Sequence, residues 1–311
     1  MKKKFLSVVV AVSLAINPLI SAAPACNAKE IAENIDIQEY IQDVADMYGE
    51  NVEINNLEEN VEEDEVLDIV ETEQDIIDTQ CSKKNGEVYH VETYVEDGVK
   101  YVKAYSEDLE YVSLTTIKDD NEIVAEFYTK DSDDAYEKNT LEILLEEDEV
   151  QTVQAQDVRY NGSVVKTQIK GNYYYQEGYG YDSKKKKANG KSFLKIGCNY
   201  NYQIRTDNLT SSKQDKVLAY KKSIRNSNDC NTKAGLSLAG TGISLTLVLG
   251  LVAANIAFPP SVIVDIVLGA LGAVGFTGSV SSAVYFYIDA FGYVDDAHDY
   301  YEIIKYYGSR I

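Results

Sequence analysis

The run AGLSLAGTGISLTLVLGLVAANIAF, residues 234–258, carries no charged side chain, and VIVDIVLGALGAVGFTGSVSSAVYFYI, residues 262–288, carries one, Asp265. About 20 apolar residues span a bilayer as a helix, so either run is long enough. Pro259 and Pro260 cannot continue the first helix, whereas Pro260 and Ser261 suit the start of a second. The pattern predicts an apolar helical hairpin with an uncharged tip at Phe258, Pro259 and Pro260. Asp265 then falls near the first turn of the second helix, where the helix dipole favours an acid.

Small residues recur in both runs. Gly235 and Ala239, Gly250 and Ala254, Gly269 and Ala273, Gly275 and Ser279, and Ser279 and Ala283 are each four apart, and Gly269, Gly272, Gly275 and Gly278 recur every three. Spacing by four is the small-xxx-small pattern of closely packed membrane helices. Each glycine in an exposed helix costs roughly 1 kcal/mol relative to alanine, so close packing must offset it. Three readings follow: a buried core hairpin, a constitutive membrane anchor, and a hairpin carried buried in a secreted form and inserted into a target membrane. The glycine stripe, the uncharged tip and the export signal described next favour the third. On that reading the membrane-inserting residues are Gly250, Ala254, Phe258, Pro259, Pro260, Asp265, Gly269, Gly272, Gly275 and Gly278.

Lys2, Lys3 and Lys4 precede an uncharged apolar run from Phe5 to Ile20 and then a run of small residues. That order is the secretory signal peptide's, with cleavage expected after Ala25 or Ala28. Lipid attachment at Cys26 is disfavoured by Ala23, which stands where a bulky aliphatic is wanted. The lysine-rich start points to a bacterial protein destined for secretion or the cell envelope. Export permits disulfides. Cys198 and Cys230 flank a predicted helix and are the expected pair, with Cys81 joined to Cys26 or left odd.

Over 311 residues the net charge is −22, which argues against nucleic acid as a partner, because phosphate recognition needs a basic surface. The charge is unevenly placed. Residues 29–80 hold 19 acids and one lysine, residues 81–156 hold 20 acids and seven bases, and residues 157–233 reverse sign with 16 bases and six acids. The expected organisation is a signal peptide (1–28), an acidic α+β region (29–156), a basic tyrosine-rich region (157–233), and an apolar hairpin with an aromatic C-terminal helix (234–311). The acidic front half could pair with the basic middle and keep the hairpin covered.

Within the acidic region, Ile37, Tyr40, Ile41, Val44, Ala45 and Tyr48 follow helical spacing, with Asp36 and Glu39 as a capping box and Gly49 as a stop. From Glu87 the period changes to two. Tyr89, Val91, Thr93 and Val95 alternate, Asp97-Gly98 is a tight turn before Val99, and a second pair brackets Asp119-Asp120-Asn121. An antiparallel meander follows from this. Tyr173, Tyr174, Tyr175, Tyr179 and Tyr181, near Lys184 to Lys187, read first as a tyrosine-rich sheet with a lysine-bearing loop; stacking on sugars or seating at a headgroup interface is the functional alternative. The fold class is therefore α+β.

Composition weakens most enzyme readings. Two histidines leave little for the commonest general base and zinc ligand. Neither HExxH, GxSxG, a Walker loop nor a dinucleotide fingerprint occurs. Asp131 to Glu142 places acids at positions 1, 3 and 12 of a calcium loop, but Ala135 and Tyr136 stand where a ligand and a glycine are required. No cofactor, metal or catalytic constellation is expected.

The order of signal peptide, charged front, tyrosine-rich sheet, short helix, glycine-rich apolar hairpin and aromatic C-terminal helix resembles the geobacillin-type large secreted bacteriocins of Gram-positive bacteria. The likeness rests on the helix capped at Ser212, on LAGTGISLTLVLGLVAANIAF and on GALGAVGFTG, and it covers the last third of the chain. The acidic front half departs from that pattern. The resemblance implies a secreted antibacterial protein that perturbs a bacterial membrane through its hairpin, with no enzymatic residues to carry over. The alternative is a non-enzymatic surface protein anchored in the producer's own membrane.

Overall fold

Asp97 and Gly98 have φ of 50° and 83°, the paired positive angles of a two-residue turn that matches the twist of its flanking strands. In the computed structural model, which describes residues 39–42, 51–71, 75–84, 87–119, 122–130, 135–146, 158–160, 163–170, 173–182, 187–272 and 277–311, this turn organises a seven-stranded antiparallel sheet. Its strands are β1 (Asn51–Val61), β2 (Ile76–Lys84), β3 (Glu87–Glu96), β4 (Val99–Ser106), β5 (Tyr111–Asp119), β6 (Glu122–Lys130) and β7 (Tyr136–Glu146), in the order β1-β7-β6-β5-β4-β3-β2. Helix α1 (Glu63–Glu71) links β1 on one edge to β2 on the other.

Period-two alternation gives the sheet two distinct faces. On one, Val91, Val102, Ala104, Thr115 and Ala125 are buried. On the other, Val112, Tyr128 and Tyr136 form a core with Val66 of α1, and Val61, Ile69, Val70, Tyr105 and Leu109 pack around it. The Tyr136 hydroxyl donates to the Leu109 carbonyl at 2.7 Å. Leu109 itself sits in the β4–β5 turn at φ 57°.

The helical part of the chain comprises α2 (Ser211–Leu238), α3 (Leu245–Ala254), α4 (Pro260–Leu271) and α5 (Thr277–Ile304). The chain divides into two units. The first holds the seven-stranded sheet with Lys233–Asp289, so it takes in α3, α4, the end of α2 and the start of α5. There α4 packs across β2, β3, β4 and β5, and α3 across β6 and β7.

The second unit combines Glu33–Gly49, Glu149–Thr232 and Ala290–Ile311. Its antiparallel sheet contains β8 (Val158–Tyr160), β9 (Ser163–Lys170), β10 (Tyr173–Asp182), β11 (Lys187–Gly197), β12 (Tyr202–Arg205) and β13 (Ser309–Arg310), ordered β13-β12-β11-β10-β9-β8. Tyrosine hydroxyls tie helix to strand here. Tyr220 of α2 donates to the Tyr174 carbonyl at 2.9 Å, and Tyr301 of α5 donates to the Tyr200 carbonyl at 2.6 Å. Tyr40, in the helical stretch Glu39–Gln42, lies 4.6 Å from the Phe291 ring and donates to Asn231 Oδ1 at 3.0 Å. The rest of the helix expected over residues 37–48 lies outside the described residues, as do the signal segment and Cys26.

The chain is thus mixed α and β with antiparallel sheets, as its sequence pattern indicates. The expected transmembrane hairpin is corrected: among the described residues no helix is long and apolar enough to cross a membrane. Glycine breaks the apolar runs. α2 ends at Leu238, and Gly240 and Gly242 take φ of 79° and 77°. Helix α4 is closed by Gly272 at φ 55° and ψ 35°, whose N–H bonds to the Gly269 and Leu268 carbonyls. The left-handed region is open to glycine at no steric cost. What remains is a helix of 10 residues and one of 12, about 15 and 18 Å long against a hydrocarbon core of about 30 Å.

Candidate functional site

Helix α3 is apolar on every side. Thr246 to Ala253 are all buried, eight consecutive positions covering more than two turns, so no polar stripe faces water. Ser244 caps the helix by accepting from the Leu247 N–H at 3.3 Å, relieving one of the unpaired donors of the first turn. Beyond Ala254 the chain turns through Asn255 to Phe258 rather than projecting a tip. Phe258 is fully buried, its ring 6.0 Å from Tyr89, 6.2 Å from Tyr111 and 5.9 Å from Phe127. Pro259 is buried as well, and Pro260 opens α4 at its first position, where its missing N–H costs nothing.

One polar contact crosses this apolar layer. Asn255, fully buried, accepts from the Ser113 hydroxyl at 2.5 Å and donates to the Leu251 carbonyl at 2.9 Å. A buried amide left without partners costs on the order of 1–3 kcal/mol, so this pair fixes where the α3–α4 turn lands on β5.

The residues expected to insert into a membrane are placed as follows. Gly250 is buried within α3 and Ala254 is half-buried at its end. Gly269 faces the sheet: a Cβ there would stand 2.8 Å from Thr93 Oγ1 and 3.4 Å from Val102 Cγ1. Gly272 ends α4, and Gly278 has open space where a Cβ would be. Asp265 is half-buried, and its charge adds to the burial that raises the Tyr285 pKa. Gly275 lies outside the described residues.

The opposite face of the sheet holds a charged pair that the sequence reading did not single out. Lys103 of β4 is buried, and its Nζ lies 2.6 Å from Glu92 Oε2 of β3 in an ion pair. The ammonium also donates to the Val70 carbonyl of α1 at 2.9 Å and sits 6.0 Å from the Tyr105 ring. Tyr105 donates its hydroxyl to Glu92 Oε1 at 3.0 Å, and His90 stacks on the Tyr105 ring at 5.0 Å. Burial, then the bond to Glu92, pushes the Tyr105 phenol up to about 12. The two-residue turn was the available signal, because its register sets Glu92 opposite Lys103.

In the second unit, Tyr173 of β10 lies between a thiol and an imidazole. Its hydroxyl is 2.7 Å from His298 Nδ1 and is hydrogen-bonded to Cys198. The Tyr173, Tyr202 and Tyr220 rings all pack around Tyr301, at 5.7, 6.2 and 6.5 Å. Burial raises the Cys198 pKa, outweighing the opposing bonds from Tyr173 and the Asn199 N–H. A thiol held protonated is the opposite of what nucleophilic cysteine chemistry needs.

The expected Cys198–Cys230 disulfide is also corrected. No disulfide joins Cys81, Cys198 or Cys230: Cys198 is engaged by Tyr173 beyond the end of β11, and Cys230 is buried in α2. Among the described residues no group of three histidine, cysteine or carboxylate side chains is placed to hold a metal. Asp131 to Asp134 of the calcium-loop near-match lie outside the described residues, and Tyr136 onward is strand β7. No protein-family model, curated protein or solved structure matches the chain.

Proposed function

We propose that this is an exported antibacterial protein that acts on a target bacterial membrane without enzymatic chemistry, and that α3 and α4 are the elements that meet the lipid. The observation that carries the reading is the eight-residue buried run of α3. A helix without a polar face requires either a protein core or lipid around it. At about 15 and 18 Å, each helix matches one leaflet of the bilayer rather than its full thickness. The proposal is therefore seating within the outer leaflet, which thins and disorders it.

The acidic front half has a part in this scheme different from charge pairing. Its residues build the sheet whose apolar face covers α3 and α4. Gly240 and Gly242 on one side and Gly272 on the other are the turns about which the pair would swing. A second reading is favoured by Phe258 and Asn255: an exported envelope protein in which the pair stays in the core.

A reversible lock separates the two. Thr93→Cys with Gly269→Cys, in a Cys81→Ser background, joins β3 to α4 at a place where the Gly269 Cβ would already touch Thr93. The expected result is dye release from anionic vesicles by the reduced protein, its loss on oxidation, and its return with reductant. Equal release by locked and unlocked protein removes the α3–α4 mechanism. No release by either removes membrane action.

A further inference from the structure

We infer that the outward face of the second unit's sheet is a binding site for a β-linked glycan that carries carboxylates. Strand alternation gives β10, β11 and β12 two faces. On one, Tyr173, Tyr175, Leu194, Ile196 and Ile204 are buried. Helices α2 and α5 meet that face, through the 2.8 Å bond from Arg225 to the Tyr175 hydroxyl and the Tyr173–Tyr301 ring contact. On the other face, Tyr174, Gln176, Phe193, Lys195 and Gln203 are half-buried and Arg205 is exposed.

Register arranges these side chains in rows across the strands. Tyr174 stands opposite Gly197, Gln176 opposite Lys195 and then Gln203, and Gly178 opposite Phe193 and then Arg205. Each aromatic residue thus faces a glycine, and each uses it. A Cβ at Gly197 would overlap the Tyr174 ring, and one at Gly178 would stand 2.7 Å from Phe193 Cζ. The Tyr174 side chain crosses β11 and its hydroxyl donates to Asn201 Oδ1 at 2.7 Å. Both rings therefore lie down over the neighbouring strand, where a side chain on that strand would otherwise stand. Tyr174 and Gly178 are four residues apart on β10, so the two rings form platforms about 14 Å apart with the Gln176–Lys195–Gln203 row between them.

The chemistry of this face selects the ligand. A β-linked pyranose chain presents apolar C–H faces along its length, which stack on aromatic rings, and hydroxyl and acetamide groups along its rim, which side-chain amides can bond. Platforms about 14 Å apart suit an oligosaccharide rather than a single sugar. Charge complementarity decides the substituent. In a chain of net charge −22, these three rows hold Lys195 and Arg205 and no carboxylate. Arg205 is already paired with Asp207 at 2.7 Å, so Lys195, in the central row, is the cation placed for a sugar carboxylate. The site lies apart from α3 and α4 in the chain's division into units, and it does not depend on the membrane action proposed above.

The test is co-sedimentation of the full chain with insoluble glycans: purified peptidoglycan, a β-linked chain with muramic carboxylates; chitin, a β-linked chain without them; and cross-linked dextran, which is α-linked. Retention is expected on peptidoglycan, more weakly on chitin, and not on dextran. Tyr174→Ala and Phe193→Ala should each weaken binding to peptidoglycan about tenfold, with circular dichroism showing the parent's fold. Lys195→Gln should bring peptidoglycan binding down to the chitin level and leave chitin binding unchanged, a split that a disturbed fold would not produce. No retention on peptidoglycan overturns the inference. So does equal retention on dextran, a folded double variant of Tyr174 and Phe193 that binds like the parent, or a Lys195→Gln loss that is the same on peptidoglycan and chitin.

Discussion

Lys103 and Glu92 offer the sharpest test of how α1 is held on the sheet. The ammonium has two oxygen partners within 3 Å, Glu92 Oε2 at 2.6 Å and the Val70 carbonyl at 2.9 Å, and the two side chains are 2% and 11% exposed. Glu92→Leu removes the only countercharge in direct contact among the described residues and leaves a buried cation beside a neutral carbonyl. Breaking a buried pair from one side costs on the order of 3–5 kcal/mol. Lys103→Met leaves the carboxylate with the Tyr105 hydroxyl alone, and a cost at the lower end of that range is expected. For a unit of this size such losses lower the melting temperature by roughly 10 °C. The double replacement removes both charges and fills the space with apolar atoms, which is often neutral or stabilising. It should return to within about 1 kcal/mol of the parent, so the coupling between the sites is nearly as large as one single loss. Urea titration followed by circular dichroism measures the cycle, and hydrogen exchange on α1 and β3–β4 places it in the structure. A double variant as unstable as either single would refute the reasoning, because the loss would then come from packing rather than an uncompensated charge.

Gly269→Ala should cost about 1–3 kcal/mol by overpacking, since its Cβ meets Thr93 Oγ1 at 2.8 Å. Thr93→Ala should recover most of that loss in the same denaturation assay. Alkaline titration provides an independent check on the buried tyrosines. Burial is the main cause that raises Tyr94, Tyr105 and Tyr301 to about 12, from an ordinary 10.0. A phenol raised in the folded state contributes stability fully present below 10 and lost as pH climbs through about 12. Tyrosinate absorbance should therefore rise together with loss of circular dichroism in that window. Full ionisation near 10 with the fold intact would show that these rings are open to water.

Some of this architecture is visible in the residues themselves. Asp97-Gly98 between alternating apolar positions announces its turn, and the turn dictates the register that places Tyr94 against Tyr101, Glu92 against Lys103 and His90 against Tyr105. The apolar character of residues 245–254 and 260–271 is equally plain. What the pattern does not reveal is the use made of each glycine, because three uses share one cause, the missing Cβ. Gly269 admits Thr93 and Val102, Gly272 ends a helix in the left-handed region, and Gly240 and Gly242 turn the chain between α2 and α3. On a helical wheel all of them resemble a stripe for helix pairing. The cysteines mislead for a different reason: export makes pairing permissible, but the β10–β11 ladder, with Tyr174 opposite Gly197, brings the Tyr173 hydroxyl to Cys198, while Cys230 is buried in α2.

Length between breaks, rather than apolarity, separates a core helix from a spanning one. A charge-free run of 25 residues exceeds a bilayer's need, yet only its last part forms α3, and the preceding residues close α2 and make a turn. The acidic front half is the counterpart of that economy. Apart from the buried Glu92–Lys103 pair, its sheet presents Tyr89, Tyr111 and Phe127 as an aromatic floor on which Phe258 closes the α3–α4 turn. Both faces of this sheet are therefore covered, one by α3 and α4 and the other in part by α1. Any release of α3 and α4 must therefore break the Phe258 packing and the Ser113–Asn255 bond together. Restraining α4 at Thr93 and Gly269 is consequently a test of mechanism, since it blocks the motion without touching either of those contacts.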